Sequence, residues 1–279
     1  MENSKNFLIF FFLVHLYYDN KIWNADDIST NGSPDQNSVG FINLHRIATL
    51  CNRAVFDSDP NNLAKDILQR KTVGDASESA LIKFAEPFKN IDSYRSANPK
   101  IFEIPFNSVN KWQLSVHELE NSSTLLMIKG APERIIARCD KISLDGKIVP
   151  LTDEHSQAFQ HAYEVLAGHG ERVLGFAQVE LDSKIYNKSY HFDADSKNFP
   201  TEGLVFTGLI ALMDPPRPNV PEAVAKCKEA GVRVIMVTGD HPLTAQAIAK
   251  QVGILEDATP EEMAQKEGVR IEDFDKVNY

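Results

Sequence analysis

The chain has 279 residues, 43% of them hydrophobic and 24% charged, with a formal net charge of −10. Those totals describe a soluble globular protein of one large or two ordinary domains and exclude a disordered or membranous chain. The acidic balance argues against nucleic-acid binding, which rests on phosphate neutralisation, and a bound nucleotide would need a local positive cluster.

In chain order, Phe7–Val14 (FLIFFFLV) is strongly apolar but falls short of the roughly 20 residues that a membrane helix needs. Met1–Lys5 has no excess positive charge and no small-residue cleavage site follows before His15–Asn20, so a strand is expected rather than a signal peptide. Asp26–Gly40 reads as a loop. Phe41, Leu44, Ile47, Ala48, Cys51 and Val55 recur at helical spacing and predict an amphipathic helix. After the turn cluster Asp57–Asn62, the stretch Val73–Phe84 offers Asp75 as an N-cap. Glu78, three residues on, can reach back in a capping box, and Ala80, Leu81 and Phe84 form a buried face.

Lys100–Phe106 reads as a short strand, followed by a turn at Asn107–Ser108. Lys111–His117 alternates strictly: Trp112, Leu114 and Val116 are apolar, and the residues between them polar. That is the period of a half-buried strand with Lys111 and Gln113 on one face. Thr124–Lys129 predicts a third strand. Gly130 permits close backbone approach to a ligand, and Pro132 suits the first position of a helix running on through Arg134–Arg138. The expected product is a sheet edge on which a base can stack on Phe106 while Lys111 and Lys129 meet phosphates. Phe106 as core with both lysines solvated fits the same spacing.

Thr152–Gly170 predicts a helix, Gly170–Ala177 a strand, Asp182–Thr201 an insertion loop and Gly203–Met213 a buried strand. Arg172 has Glu171 beside it as a simple surface partner. Asp214–Pro218 (DPPRP) holds a stiff extended path and marks a domain boundary. Beyond it come a helix at Val220–Ala230, an apolar strand at Val232–Thr238 of the kind found in parallel sheets, and a turn. A helix at Leu243–Val252 and a capping signature at Thr259–Glu262 follow. Thr238, Gly239 and Asp240 form a strand–turn–helix anion site of a generic kind. The three cysteines, Cys51, Cys139 and Cys227, make no CxxC and fit a reducing compartment; no His or Cys spacing suggests zinc, and no metal ligands are expected.

IPFNSVNKWQLS followed by MIKGAPERIIARC resembles the nucleotide-binding domain of P-type cation ATPases, in particular the sodium/potassium (or proton/potassium) pump α-subunit group. LCNRAVF, VGDASESALIKF and VIMVTGDHPLTAQAIAKQVGI carry the same resemblance, which covers about Val14–Leu255. It implies an α/β chain with residues 1–13 atypical and 14–213 a nucleotide-binding domain, an antiparallel sheet flanked by helices. Residues 214–279 would be a fragment of a phosphorylation domain, with the haloacid-dehalogenase-like doubly wound fold.

The resemblance further implies ATP as ligand, with Mg²⁺ accompanying the nucleotide. It places Glu78 at the adenine amino group and Arg172 at a phosphate, with Phe106, Lys111, Gln113, Lys129 and Gly130 at matching nucleotide positions. Asp214 falls near the ribose, and Thr238, Gly239 and Asp240 on the phosphate side. The implied parent is an ion pump of the plasma membrane with a β subunit, its nucleotide domain facing the cytoplasm; the fragment alone, without a membrane span, would be cytoplasmic. The family's nucleophile motif DKTGT and its Mg²⁺ motif GDGVND do not occur in this sequence. The chain is therefore expected to be a truncated, non-catalytic portion. A stand-alone ATP-binding module is the alternative, and a haloacid-dehalogenase-like phosphohydrolase would need a DxDx[TV] motif that is absent.

Overall fold

The computed structural model describes residues 12–25, 35–187, 189–213 and 215–255. The chain divides into two compact units, Met1–Pro215 and Pro216–Tyr279. Among the described residues no helix is long and apolar enough to cross a membrane. Most of Phe7–Val14, and all of Thr259–Glu262, lie outside the described residues.

Among the described residues the first unit is built on a nine-stranded sheet. Its main path runs β2 (Lys21–Asn24), β1 (Phe12–Tyr18), β11 (Leu204–Met213), β10 (Arg172–Leu181), β7 (Thr124–Gly130), β6 (Trp112–Glu118) and β5 (Lys100–Ile104), antiparallel throughout. β8 (Cys139–Leu144) adds to β11 in parallel and carries β9 (Lys147–Pro150) in a hairpin. Asp145 and Gly146 close that hairpin at φ 47° and 76°, the backbone of a two-residue primed turn. β3 (Val55–Phe56) and β4 (Thr72–Val73) form a separate small pair.

β11 is the hub: it pairs with β8 at Leu204–Phe206, with β1 at Leu209–Met213 and with β10 along its length. The change of partner is made at Gly208, where the register slips by one residue and φ is 152°. A Cβ there would lie 2.1 Å from the Tyr17 carbonyl, so glycine is required for the strands to close.

Helices cover both faces. α1 (Val39–Leu50) and α3 (Ala76–Ala85) pack with Leu16, Met127, Phe176 and Ile210 in one core. Successive strand residues point to opposite faces, so Gly175, next to Phe176, faces the other way. There the backbone lies against Pro132 and Ile135 of α5 (Pro132–Ile136). α6 (Asp153–Gly168), capped by Thr152, also packs on β10, and its Phe159 meets Phe206 edge-on at 5.3 Å. Two short α-helices, α2 (Pro60–Leu63) and α4 (Ile91–Ala97), and a single 3-10 turn at Ile67–Gln69 also occur among the described residues of this unit.

Two expectations shift here. The helix predicted from Phe41 to Val55 ends at Leu50, because Asn52 turns its amide to the carbonyls of Ala48 and Glu78, and Val55 enters β3. The strand predicted as half-buried over Lys111–His117 forms over Trp112–Glu118 with nearly every residue buried. Its polar side chains meet partners instead of water: Gln113 meets Glu103, and His117 lies between Ser115 and the Asn98 carbonyl.

The second unit contains α7 (Val220–Glu229) and α8 (Pro242–Gln251). The strand predicted at Val232–Thr238 does not form. A parallel strand needs neighbours to take its backbone groups and cover its side chains. No described segment pairs with this one, and Val232, Ile235 and Val237 stand exposed. The helices on either side of it are present, so they form without the strand between them.

Candidate functional site

Asp75 caps α3 as its residue type dictates, accepting from the amides of Ser77 and Glu78 at 2.9 and 3.3 Å. Glu78 does not return to complete a capping box. Its carboxylate instead takes Lys129 Nζ at 2.6 Å and the Arg53 amide at 3.2 Å. Lys129 also donates to the carbonyl of Cys51. Both members of the pair are nearly covered, Glu78 8% and Lys129 5% exposed. Burying two charges this way costs desolvation that only a close pairing offsets, so neither tolerates loss of the other.

The β6–β7 register sets Gln113 opposite Lys129 and Trp112 opposite Gly130. Gln113 Nε2 reaches Glu103 Oε1 at 3.2 Å, and Glu103 is held in turn by Lys100 at 3.0 Å and Arg53 at 3.8 Å. Arg53 and Glu103 thus tie Glu78 to Gln113. Neither is singled out by periodicity, although Arg53 lies within LCNRAVF and Glu103 immediately precedes IPF.

Phe106 and Lys111 lie on the β5–β6 connection, brought together by a turn closed from the Lys111 amide to the Asn107 carbonyl at 2.9 Å. Phe106 is 59% exposed, so it is not core. Lys111 is exposed and precedes the strand in a left-handed conformation at φ 59°, so it does not share a strand face with Gln113. Its carbonyl accepts from the Ala131 amide at 2.9 Å, and a Cβ on Gly130 would sit 2.3 Å from that oxygen. The glycine predicted to admit a ligand therefore admits the chain's own Lys111. Of the two lysines expected to be free, Lys111 is displayed and Lys129 is enclosed.

Beside this network lies a cavity of about 280 Å³, lined by Asn52, Arg53, Arg95, Lys100 and His117 among others. Arg95 is committed structurally: it donates to the carbonyls of Thr49 and Ala54 at 3.0 and 2.8 Å, satisfying groups at and beyond the end of α1. Burial pushes the His117 imidazole down to about 4, so at neutral pH the ring is uncharged. Its Nδ1 then donates to Asn98 and its Nε2 accepts from Ser115.

Arg172 opens β10 and is partly buried. Its neighbour Glu171 turns instead towards His15 and His169, a grouping that the linear order of residues hides. Asp214 lies outside the described residues. In the second unit Thr238 Oγ1 bonds Asp240 Oδ2 at 2.9 Å and accepts the Asp240 amide at 3.1 Å, Gly239 has open space around it, and His241 caps α8.

The family model described as P-type ATPase, cytoplasmic domain N, matches residues 40–219. The sodium/potassium-transporting ATPase subunit alpha-2 of Homo sapiens is 51% identical over 248 residues, covering 87% of this chain and 24% of the relative. The same subunit of Bos taurus matches to the same extent. Subunit alpha-1 of Oreochromis mossambicus is 49% identical over 267 residues, 93% of this chain and 26% of its own length. The chain thus spans about a quarter of the length of the curated relatives it matches. Matched over most of its length by that domain model and about half identical to these α subunits, the chain belongs to the P-type ATPase family and carries its cytoplasmic domain N.

Proposed function

We propose that this chain is the ATP-binding portion of a sodium/potassium-type cation pump α subunit, whose parent couples ATP hydrolysis to ion transport at the plasma membrane alongside a β subunit. The reading is carried by the exposed Phe106 and Lys111 on one turn, next to the enclosed Glu78–Lys129 pair. An exposed aromatic beside a displayed cation suits a nucleotide: the ring takes the base and the ammonium a phosphate. Glu78 and Gln113 supply polar groups for the base edge, and Arg172 a second cation. Lys129 positions Glu78, and Gly130 sets the turn. Asp214 and the Thr238–Asp240 loop of a haloacid-dehalogenase-like segment would serve the ribose and phosphate side. Mg²⁺ arrives with the nucleotide as part of the substrate.

Phe106→Ala should weaken ATP binding about tenfold or more, since base–aromatic stacking contributes roughly 1–3 kcal/mol. Titration of both proteins by calorimetry reads the change, and equal affinities would remove Phe106 from the site. No aspartate here stands in a DKTGT context, so binding should proceed without a phosphoenzyme. Incubation with γ-labelled ATP and Mg²⁺, quenched in acid, should leave no hydroxylamine-sensitive label; stoichiometric label would overturn this part.

A further inference from the structure

His15 and Glu171 are 156 residues apart in sequence, yet the sheet brings them into contact. His15 pairs with Ala211 across β1–β11, and Ala211 pairs with Val173 across β11–β10, so Glu171 lies just beyond the same line. His15 Nδ1 is 2.8 and 3.0 Å from the two carboxylate oxygens. His169, the C-cap residue of α6, brings its Nδ1 to 3.5 Å from Oε1, with the two imidazole rings 5.8 Å apart. The three donor atoms all lie within 4.8 Å of one another, and among the described residues no other three His, Cys, Asp or Glu side chains meet in this way.

We propose that His15, His169 and Glu171 form a binding site for Zn²⁺, with two imidazoles and one carboxylate as ligands and water in the fourth position. Tetrahedral zinc holds N and O donors at about 2.0–2.2 Å, which sets neighbouring donors about 3.3 Å apart. The spacings of 2.8 and 3.5 Å to Glu171 lie close to that value, and all three donor atoms fall within 4.8 Å of one another, so side-chain rotation can close them on an ion. Imidazole with carboxylate is a donor set that suits zinc, whereas magnesium and calcium prefer oxygen alone. Glu171 is 1% exposed and therefore held in place, while His169 is 54% exposed and gives the ion a way in from solvent. A bound ion would link β1 to the turn between α6 and β10, beside Arg172.

The test is titration of the chelator-treated chain with Zn²⁺ against a chromophoric competitor, with Co²⁺ as a spectroscopic probe. One equivalent should bind, with cobalt absorption of a four-coordinate site, and zinc should raise the melting temperature. His169→Ala removes an exposed ligand without disturbing the core and should weaken binding about tenfold or more, since even supporting residues of metal sites cost that much. His161→Ala, at an exposed histidine outside the cluster, should bind as the wild type does. Affinity should fall on acidification as the imidazoles take protons. Absence of stoichiometric binding would overturn the proposal. So would equal affinity in the wild type and His169→Ala, which would place the ion on cysteines or other surface groups.

Discussion

Thr124–Gly130 and Val232–Thr238 are alike as text: seven residues each, mostly apolar, one basic residue, running into a turn and a helix. In the first unit the segment is β7, every residue buried, paired on both sides with β6 and β10. In the second unit the segment is not a strand, and Val237 is 93% exposed. The difference teaches that β-propensity is an offer of pairing, taken up only where neighbouring backbones and a covering layer accept it. Helices close their hydrogen bonds internally, which is why α7 and α8 form where the strand does not.

Hydrogen exchange offers the largest contrast. Amides of β7 should exchange about a thousandfold or more slowly than those of Val232–Thr238, since core strands open only with global unfolding. Equal protection would mean that the second segment pairs after all. Next in size is Lys129→Met, which leaves Glu78 buried without its partner and should cost about 3–5 kcal/mol in urea unfolding. Adding Glu78→Leu should recover a large part of that, because the uncompensated charge goes with it. A double variant as unstable as the single one would show that packing, not charge, sets the cost. Gly208→Ala, at the point where β11 changes partners, should lose about 3 kcal/mol through clash and backbone strain, whereas Gly239→Ala in the open second-unit loop should stay within about 0.5 kcal/mol.

Acidity is a second probe of the first unit. The folded His117 is held near 4 by burial, below the ordinary 6.5, so the unfolded chain binds the extra proton first. Its contribution is complete above about pH 6.5 and is lost as pH falls towards 4, amounting to about 3 kcal/mol at most. Burial lowers His45 as well and adds in the same direction. His117→Gln should flatten the decline in urea midpoint between pH 7 and 5; an unchanged slope would assign it to other groups.

What was legible in the sequence follows the range over which the physics acts. The cap at Asp75, helix α6 from Thr152 and the apolar run of β11 are local, and periodicity with capping chemistry predicts them. The β8–β9 hairpin was equally local, announced by Asp145–Gly146, but its short flanks carry little alternation. Partnerships are another matter. Nothing near Lys129 says that Glu78 will enclose it, nor does anything near Gln113 point to Glu103. Phe106 and Lys111 were found as site candidates because the motif around them is recognisable, while the left-handed turn that separates Lys111 from the strand is not written in alternation.

The position of β11 in the chain has a consequence for synthesis. It is the last strand of the first unit to leave the ribosome, yet β1, β8 and β10 all depend on it, and Tyr17 must wait for Leu209. The first described strand of the unit therefore closes with the last, a high-contact-order topology that delays productive collapse until nearly the whole unit has emerged. Until then the apolar edges of β1 and β10 are open, and a nascent chain stalled before Leu204 presents the surface on which chaperones, or other stalled copies, would act.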